Sequence, residues 1–280
     1  MKTYAILAIF LLIYSYNAKS EFFQQETFGP QFERNDGPYI FYKENTVEIV
    51  TVKYLNNKQK IKIDSFPIQL LTGKKIKVIP NAAIRTFRIN LFSYIPEHSF
   101  CKMPEKLLVV SDIEGNLEDF AKILQVTGVI NKNYEWTYGD NHLLINGDLF
   151  DRGTDVTAFL WLCYKLDRES ALAGGKVHII LGNHDEMNLK GNTNYVMPKY
   201  LDLSSALGIE HKKLYDENTE IGRWLRTKSS ILIIDSTLFV HGGLSISMLA
   251  LKLNPEQINN HVRENLGKED SLMEPVPKFI

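Results

Sequence analysis

An α/β fold built around a parallel sheet is what this sequence predicts, and three observations predict it. Leu107-Leu108-Val109-Val110, Leu143-Leu144-Ile145 and Val177-His178-Ile179-Ile180-Leu181 are short, mostly apolar runs, as expected of strands buried on both faces. Between them Leu117, Phe120, Ala121 and Leu124, then Val156, Phe159, Leu160, Cys163 and Leu166, recur at helical spacing. Each run ends in a glycine or acidic motif, with 36 residues from Asp112 to Asp148 and 35 from Asp148 to Asn183. A β-α-β-α-β series implies parallel strands with right-handed crossovers. Ligands of such sheets collect beyond the carboxyl ends of the strands.

At the N-terminus, Lys2 precedes a largely apolar run from Tyr4 to Tyr16, followed by Ala18-Lys19-Ser20. A 13-residue run is too short to span a bilayer, and the small residues suit signal-peptide cleavage. We therefore expect a signal peptide over residues 1–20, cut near Ser20-Glu21, no membrane span afterwards, and a periplasmic or secreted protein.

Residues 21–103 read as a β-rich module and connector. Val50, Val52 and Tyr54 alternate with polar neighbours, as do Phe87, Ile89 and Leu91, which predicts four to six antiparallel strands. The module holds no cluster of acids or histidines and is expected to serve as scaffold or as a wall beside the site. A second domain, holding the parallel strands, is expected over residues 104–280. In it Asn116 is placed to cap the first helix, Gly174-Gly175 to end the second, and Asn254-Pro255 to open the last. Ile231–Ile234 and Leu238–Val240 read as a hairpin turning at Asp235-Ser236 and delivering His241.

With 32 Lys+Arg against 33 Asp+Glu, no overall field points to nucleic acid or an anionic membrane. The two cysteines, Cys101 and Cys163, make no disulfide framework. Cys163 sits on an apolar stripe and is expected to be buried and inert, and no cysteine adjoins the motifs, so a thiolate zinc site there is not expected.

Four motifs carry chemistry: Ser111-Asp112-Ile113-Glu114-Gly115-Asn116, Gly147-Asp148-Leu149-Phe150-Asp151-Arg152-Gly153, Gly182-Asn183-His184-Asp185 and Val240-His241-Gly242-Gly243. Singly, each has a structural explanation as a helix cap, a turn, a core histidine or a surface ion pair. Jointly they set hard oxygen donors, imidazoles and one guanidinium at four strand ends. A pair of ions about 3.5–4 Å apart can clamp phosphate oxygens and acidify a water. In that scheme Asp148 bridges, Asp112 and Glu114 hold one ion, and Asn183 and His241 hold the other. Arg152 offers a fork for phosphate, His184 a proton for the leaving group, and Asp151 orients His184. Arg226, in Glu220-Ile221-Gly222-Arg223-Trp224-Leu225-Arg226, is a further substrate-binding candidate. His211 reads as solvated and His178 as packed in the core.

The motifs Gly147-Asp148-x-x-Asp151-Arg152-Gly153, Gly182-Asn183-His184-Asp185 and His241-Gly242-Gly243 resemble those of the calcineurin-like metallophosphoesterases, in the style of the bacterial Shewanella-like protein phosphatases. The resemblance covers roughly residues 107–266. It implies an αββα sandwich of mixed sheets flanked by helices and a phosphoric monoester hydrolase using metal-bound hydroxide. The substrate would be a phosphoprotein or a phosphorylated small molecule. Two divalent ions are implied, with manganese the first expectation and iron, zinc and magnesium the alternatives. By the same likeness Asp148 bridges, Asn183 and His241 bind the second metal, His184 donates the proton and Arg152 binds phosphate.

Two departures qualify the likeness. The family's first motif is usually Asp-x-His, whereas Asp112-Ile113-Glu114 presents a carboxylate, which either favours harder ions or leaves the metal and only accepts a hydrogen bond. Of the 39 residues after His241 only His261 is a histidine, on the polar face of a predicted helix, so the further histidine motif is missing and a C-terminally incomplete domain is expected. The alternatives are a non-catalytic metal- or phosphate-binding module, and a phosphodiesterase or nucleotide hydrolase with the same metal site.

Overall fold

The computed structural model describes residues 5–8, 35–55, 58–81 and 85–268. Its strands, in chain order, are β1 (Ala5–Ala8), β2 (Asp36–Lys43), β3 (Thr46–Leu55), β4 (Lys58–Pro67), β5 (Lys75–Val78), β6 (Phe87–Asn90), β7 (Phe100–Cys101), β8 (Lys106–Val110), β9 (His142–Asn146), β10 (Lys176–Ile180), β11 (Ile231–Ile234) and β12 (Thr237–Val240). The α-helices are α1 (Leu117–Val126), α2 (Val156–Leu172), α3 (Asn183–Lys190), α4 (Pro198–Leu207), α5 (Glu220–Leu225), α6 (Ile246–Ala250) and α7 (Pro255–Asn265).

The expected parallel series is present. β8, β9 and β10 lie side by side, with Leu108 opposite Leu143 and Ile179 opposite Ile145. β1 extends the sheet, parallel to β8. Most of the expected signal peptide falls outside the described residues. A second sheet, β12-β11-β7, contains the hairpin expected at Asp235-Ser236. Leu107, Leu144 and Ile180 from the first sheet meet Leu232 and Ile234 from the second, forming the apolar layer between them. This is the expected α/β arrangement of mixed sheets flanked by helices.

The β-rich region supplies a three-stranded antiparallel sheet, β2-β3-β4, and the hairpin β5-β6, within the number of strands expected. It packs onto α2 rather than standing apart. Trp161 Nε1 donates to the Pro38 carbonyl at 2.7 Å, and the Tyr39 and Thr157 hydroxyls lie 2.8 Å apart. One continuous core runs from Tyr39 on β2 to Leu266 after α7. Being covered on both sides, α2 buries 11 of its 17 residues. A stripe was expected; the helix is buried nearly all round, as a helix between two layers must be. Trp161→Ala would therefore cost about 3–5 kcal/mol.

The ends of the helices follow their sequence signals. Asn116 Oδ1 accepts from the Asp119 amide at 3.2 Å, and Asn254 Oδ1 accepts from Gln257 at 2.9 Å. Cys163 is fully buried, as expected, and Cys101 is half-buried. Among the described residues no helix is long and apolar enough to cross a membrane.

Candidate metal and phosphate site

The loops that follow β8, β9, β10 and β12 converge at one end of the parallel sheet. The backbone bends sharply there. Asp112, Glu114, Asp148, Asp151 and Arg152 all have positive φ, between 46° and 78°. Such left-handed geometry is uncommon outside glycine, costs on the order of 1 kcal/mol or more per residue, and persists only where the surroundings enforce it. Here the loops enforce it on one another, since the Asp112 amide donates to the Gly147 carbonyl at 3.2 Å and the Glu114 amide to the Asp148 carbonyl at 3.0 Å. Gly147 and Gly182 are required by close approach, because a Cβ on Gly147 would collide with the His241 ring and one on Gly182 with Asp148.

The structure brings most of the expected residues together. Carboxylate and imidazole donor atoms of Asp112, Asp148 and His241 lie within 4.8 Å of one another, and so do those of Glu114, Asp148 and His184. Asp148 belongs to both groups and so lies between them. The grouping differs from expectation in one respect: Asp112 falls with His241 rather than with Glu114. Asn183 is exposed at the start of α3 and lines a shallow cleft with His241, Glu186 and Ser230.

The imidazoles are oriented from behind. His241 Nδ1 lies 2.8 Å from the Asn146 carbonyl, which places the proton there and turns Nε2 towards Asp148 Oδ2 at 3.2 Å. That hydrogen bond pushes the His241 pKa up to about 9. His184 Nδ1 donates to Asp151 Oδ2 at 2.6 Å, the contact expected for an oriented acid, and it raises the His184 pKa against the opposing effect of burial. His184 Nε2 then faces Arg152 Nη2 at 3.5 Å. Arg152 is about half-exposed, pairs with the buried Glu114 carboxylate and leans over the Tyr195 ring.

Arg226 is placed elsewhere, which corrects the expectation of a substrate contact. Its Nη1 donates to the Tyr215 and Gly222 carbonyls, both at 2.9 Å, and it lies near Asp216 and Glu217. It is spent on holding α5 to the preceding loop. Trp224 beside it is buried in the core.

Three residues support the site in ways that the sequence did not assign them. Asp185, fully buried, accepts from the amides of Leu149 and Gly182 at 2.7 Å and of Phe150 at 3.3 Å. Burial first, then the charge of Asp148, push its pKa up to about 7. Asn188 Nδ2 donates to Asp151 Oδ1 at 2.7 Å, and its Oδ1 meets His211 Nε2 at 3.0 Å. His211 is thus buried behind the site, not solvated as expected. The position of Asn188 four residues after His184 on α3 is a signal that reveals it. His211 gives no local signal, because it arrives from a separate loop.

The donor set fits divalent cations. Asp112, Glu114, Asp148, Asp151 and Asp185 crowd a space that offers one guanidinium and two imidazoles in return, and a buried excess of carboxylate calls for positive charge.

The family model described as calcineurin-like phosphoesterase matches residues 105–278. Among characterised relatives, Shewanella-like protein phosphatase 1 of Plasmodium berghei is 30% identical over 165 residues, 58% of this chain and 45% of that one. Shewanella-like protein phosphatase 2 of Arabidopsis thaliana is 28% identical over 202 residues, 57% of this chain and 51% of that one. This chain thus spans about half the length of these relatives. A solved cold-active protein-tyrosine phosphatase from a psychrophilic Shewanella species superposes with TM-score 0.70 at 28% identity, over 83% of this chain and 68% of that one.

Proposed function

Because the chain belongs to the calcineurin-like phosphoesterase family, we propose that it hydrolyses phosphoric monoesters at a pair of divalent ions, with phosphoproteins as the substrate class. One observation carries the reading: Asp148 is common to two groups of metal-binding side chains, and the second includes His184, which Asp151 orients and whose Nε2 faces the Arg152 guanidinium. The names of the relatives, protein phosphatases and a protein-tyrosine phosphatase, favour the substrate class.

In this reading Asp148 would be shared by the ions, with Asp112 and His241, and Asn183 beside them, holding one and Glu114 reaching the other. The ions, when bound, supply Lewis acidity to the phosphoryl oxygens and an acidified water. Arg152 grips the terminal phosphate with its fork, and release from Glu114 frees that fork for substrate. As the phosphorus–oxygen ester bond breaks, His184 Nε2 delivers its proton to the departing oxygen. Asp151 stabilises the imidazolium before transfer, and Asn188 holds Asp151 in place. Glu114 in place of an imidazole makes the donor set harder, so manganese is the proposed ion.

The test is turnover of p-nitrophenyl phosphate, its bis ester and a phosphotyrosine peptide by protein reloaded with manganese. Faster cleavage of the bis ester would overturn the monoester reading. The Tyr4–Tyr16 run with Ala18-Lys19-Ser20 further supports export to the periplasm or medium. N-terminal sequencing of the protein from culture medium or periplasm checks this, and an intact Met1 in the cytoplasmic fraction would refute it.

A further inference from the structure

A second group of metal-binding side chains lies at the other end of the sheet. Cys101 on β7, His142 at the start of β9 and His178 in the middle of β10 hold their Sγ, Nδ1 and Nε2 atoms within 4.8 Å of one another. Six residues at about 3.3 Å each put His142 roughly 20 Å from Asp148, so the two groups share no ligand. We propose that Cys101, His142 and His178 form a second cation site that takes one zinc-class divalent ion, joining the parallel sheet to the β12-β11-β7 sheet.

The distances suit a tetrahedral ion. Metal–nitrogen bonds of about 2.0–2.1 Å and a metal–sulfur bond of about 2.3 Å imply ligand separations of about 3.3 Å between nitrogens and about 3.6 Å from nitrogen to sulfur. The observed values are 3.0 Å from His178 Nε2 to His142 Nδ1 and 3.8 Å from His178 Nε2 to Cys101 Sγ. Shifts of a few tenths of an ångström reach the coordinated geometry. A cysteine with two histidines selects a borderline ion such as zinc over manganese or magnesium.

Glu97 is the independent observation. It is buried, and neither of its carboxylate oxygens makes a hydrogen bond, although Oε1 lies 3.3 Å from His178 Nδ1 and 3.6 Å from Lys176 Nζ. Its backbone is fixed by bonds to Thr227 and from Arg263, so the carboxylate is held against His178 rather than left there by chance. His178 Nδ1 is likewise buried without a hydrogen-bond partner. A buried carboxylate without a hydrogen bond is costly. An ion on Nε2 makes the Nδ1 proton more acidic and so a stronger donor to Glu97 Oε1, which gives the carboxylate–histidine–metal arrangement that positions ligands in zinc sites. Lys176 Nζ, 3.6 Å from Glu97 Oε1, shares the carboxylate's charge. Binding releases the Cys101 thiol proton to solvent.

The strand-end site contains no sulfur, so cobalt(II) distinguishes the two. Chelator-stripped protein under a non-thiol reductant is titrated with cobalt(II) while the near-ultraviolet thiolate-to-cobalt charge-transfer band is followed. The band is expected to saturate at one ion per chain, to disappear in Cys101→Ser and His142→Ala, and to persist in Asp148→Asn. Glu97→Gln is expected to weaken cobalt binding about 10- to 100-fold. Absence of the band at excess cobalt, or its survival in folded Cys101→Ser, overturns the proposal. Because phosphatase turnover is not the readout, failure of the monoester reading would leave this result unaffected.

Discussion

The carboxylate of Asp185 stands 2.7 Å from the Leu149 amide nitrogen and 2.7 Å from that of Gly182, so one buried side chain ties together the loops after β9 and β10. Those loops carry Asp148 and Asn183. Asp185→Asn replaces one acceptor oxygen by a donor, which must face an amide that is itself a donor. The lost bond and the unsatisfied amide are expected to lower stability by about 1–3 kcal/mol. Metal affinity should fall about 10- to 100-fold, as when a residue supporting the ligands is removed. Urea unfolding and metal titration check the two effects, and unchanged metal affinity would deny Asp185 a positioning role.

The 2.6 Å contact between His184 and Asp151 predicts a dependence on the leaving group. If His184 protonates the departing oxygen, His184→Asn should reduce kcat about 10²- to 10⁴-fold for an ester of a poorly acidic alcohol. The loss should be much smaller for p-nitrophenyl phosphate, whose leaving group needs no proton. Asp151→Asn should show the same pattern more weakly. An equal loss on both substrates would mean that His184 serves in another way, for example as part of the Glu114–Asp148–His184 group.

Arg152 and Glu114 make a linked prediction, since the guanidinium of one pairs with the carboxylate of the other. Arg152→Lys keeps the charge and loses the fork, so KM for a monoester should rise about tenfold or more, corresponding to about 1.4 kcal/mol, while metal content stays the same. Glu114→His exchanges a hard donor for a softer one and should move the metal preference from manganese towards zinc or iron. Competition titrations with manganese and zinc read the shift directly. An unchanged preference would show that Glu114 acts only as the partner of Arg152.

What the sequence reveals here follows the range of the interactions. The parallel strands and the residues at their ends are legible because apolar runs and turn motifs are local signals, and Asp112, Asp148, His184 and His241 meet as the topology requires. Arg226 misleads because two arginines near a tryptophan look alike whether they face phosphate or backbone carbonyls, and only the tertiary packing sends Arg226 to Tyr215 and Gly222. The full burial of α2 is hidden because the layer that covers its outer face comes from β2, more than a hundred residues earlier. The approach of Cys101 to His142 and His178 is equally non-local, since it joins strands of two sheets.

His211 offers a pH-dependent test of the support behind the site. Burial lowers its pKa from 6.5 to about 4 in the folded protein, where it faces Asn188 with Asp151 beyond and packs against Tyr215. The unfolded chain therefore takes up a proton at this position at a higher pH than the folded one. Its stabilising contribution is complete above about pH 6.5 and is lost as pH falls towards 4. The full difference corresponds to roughly 3 kcal/mol by linkage. His211→Gln keeps a side chain able to bond Asn188 and has no such titration. Urea midpoints measured at pH 7.5 and pH 5 should fall more for the parent protein than for the variant. The comparison between the two cancels the other acid-sensitive groups, including His142, whose pKa is also held to about 4. Equal acid sensitivity in both proteins would mean that His211 accepts a proton in place and that the contact with Asn188 tolerates it.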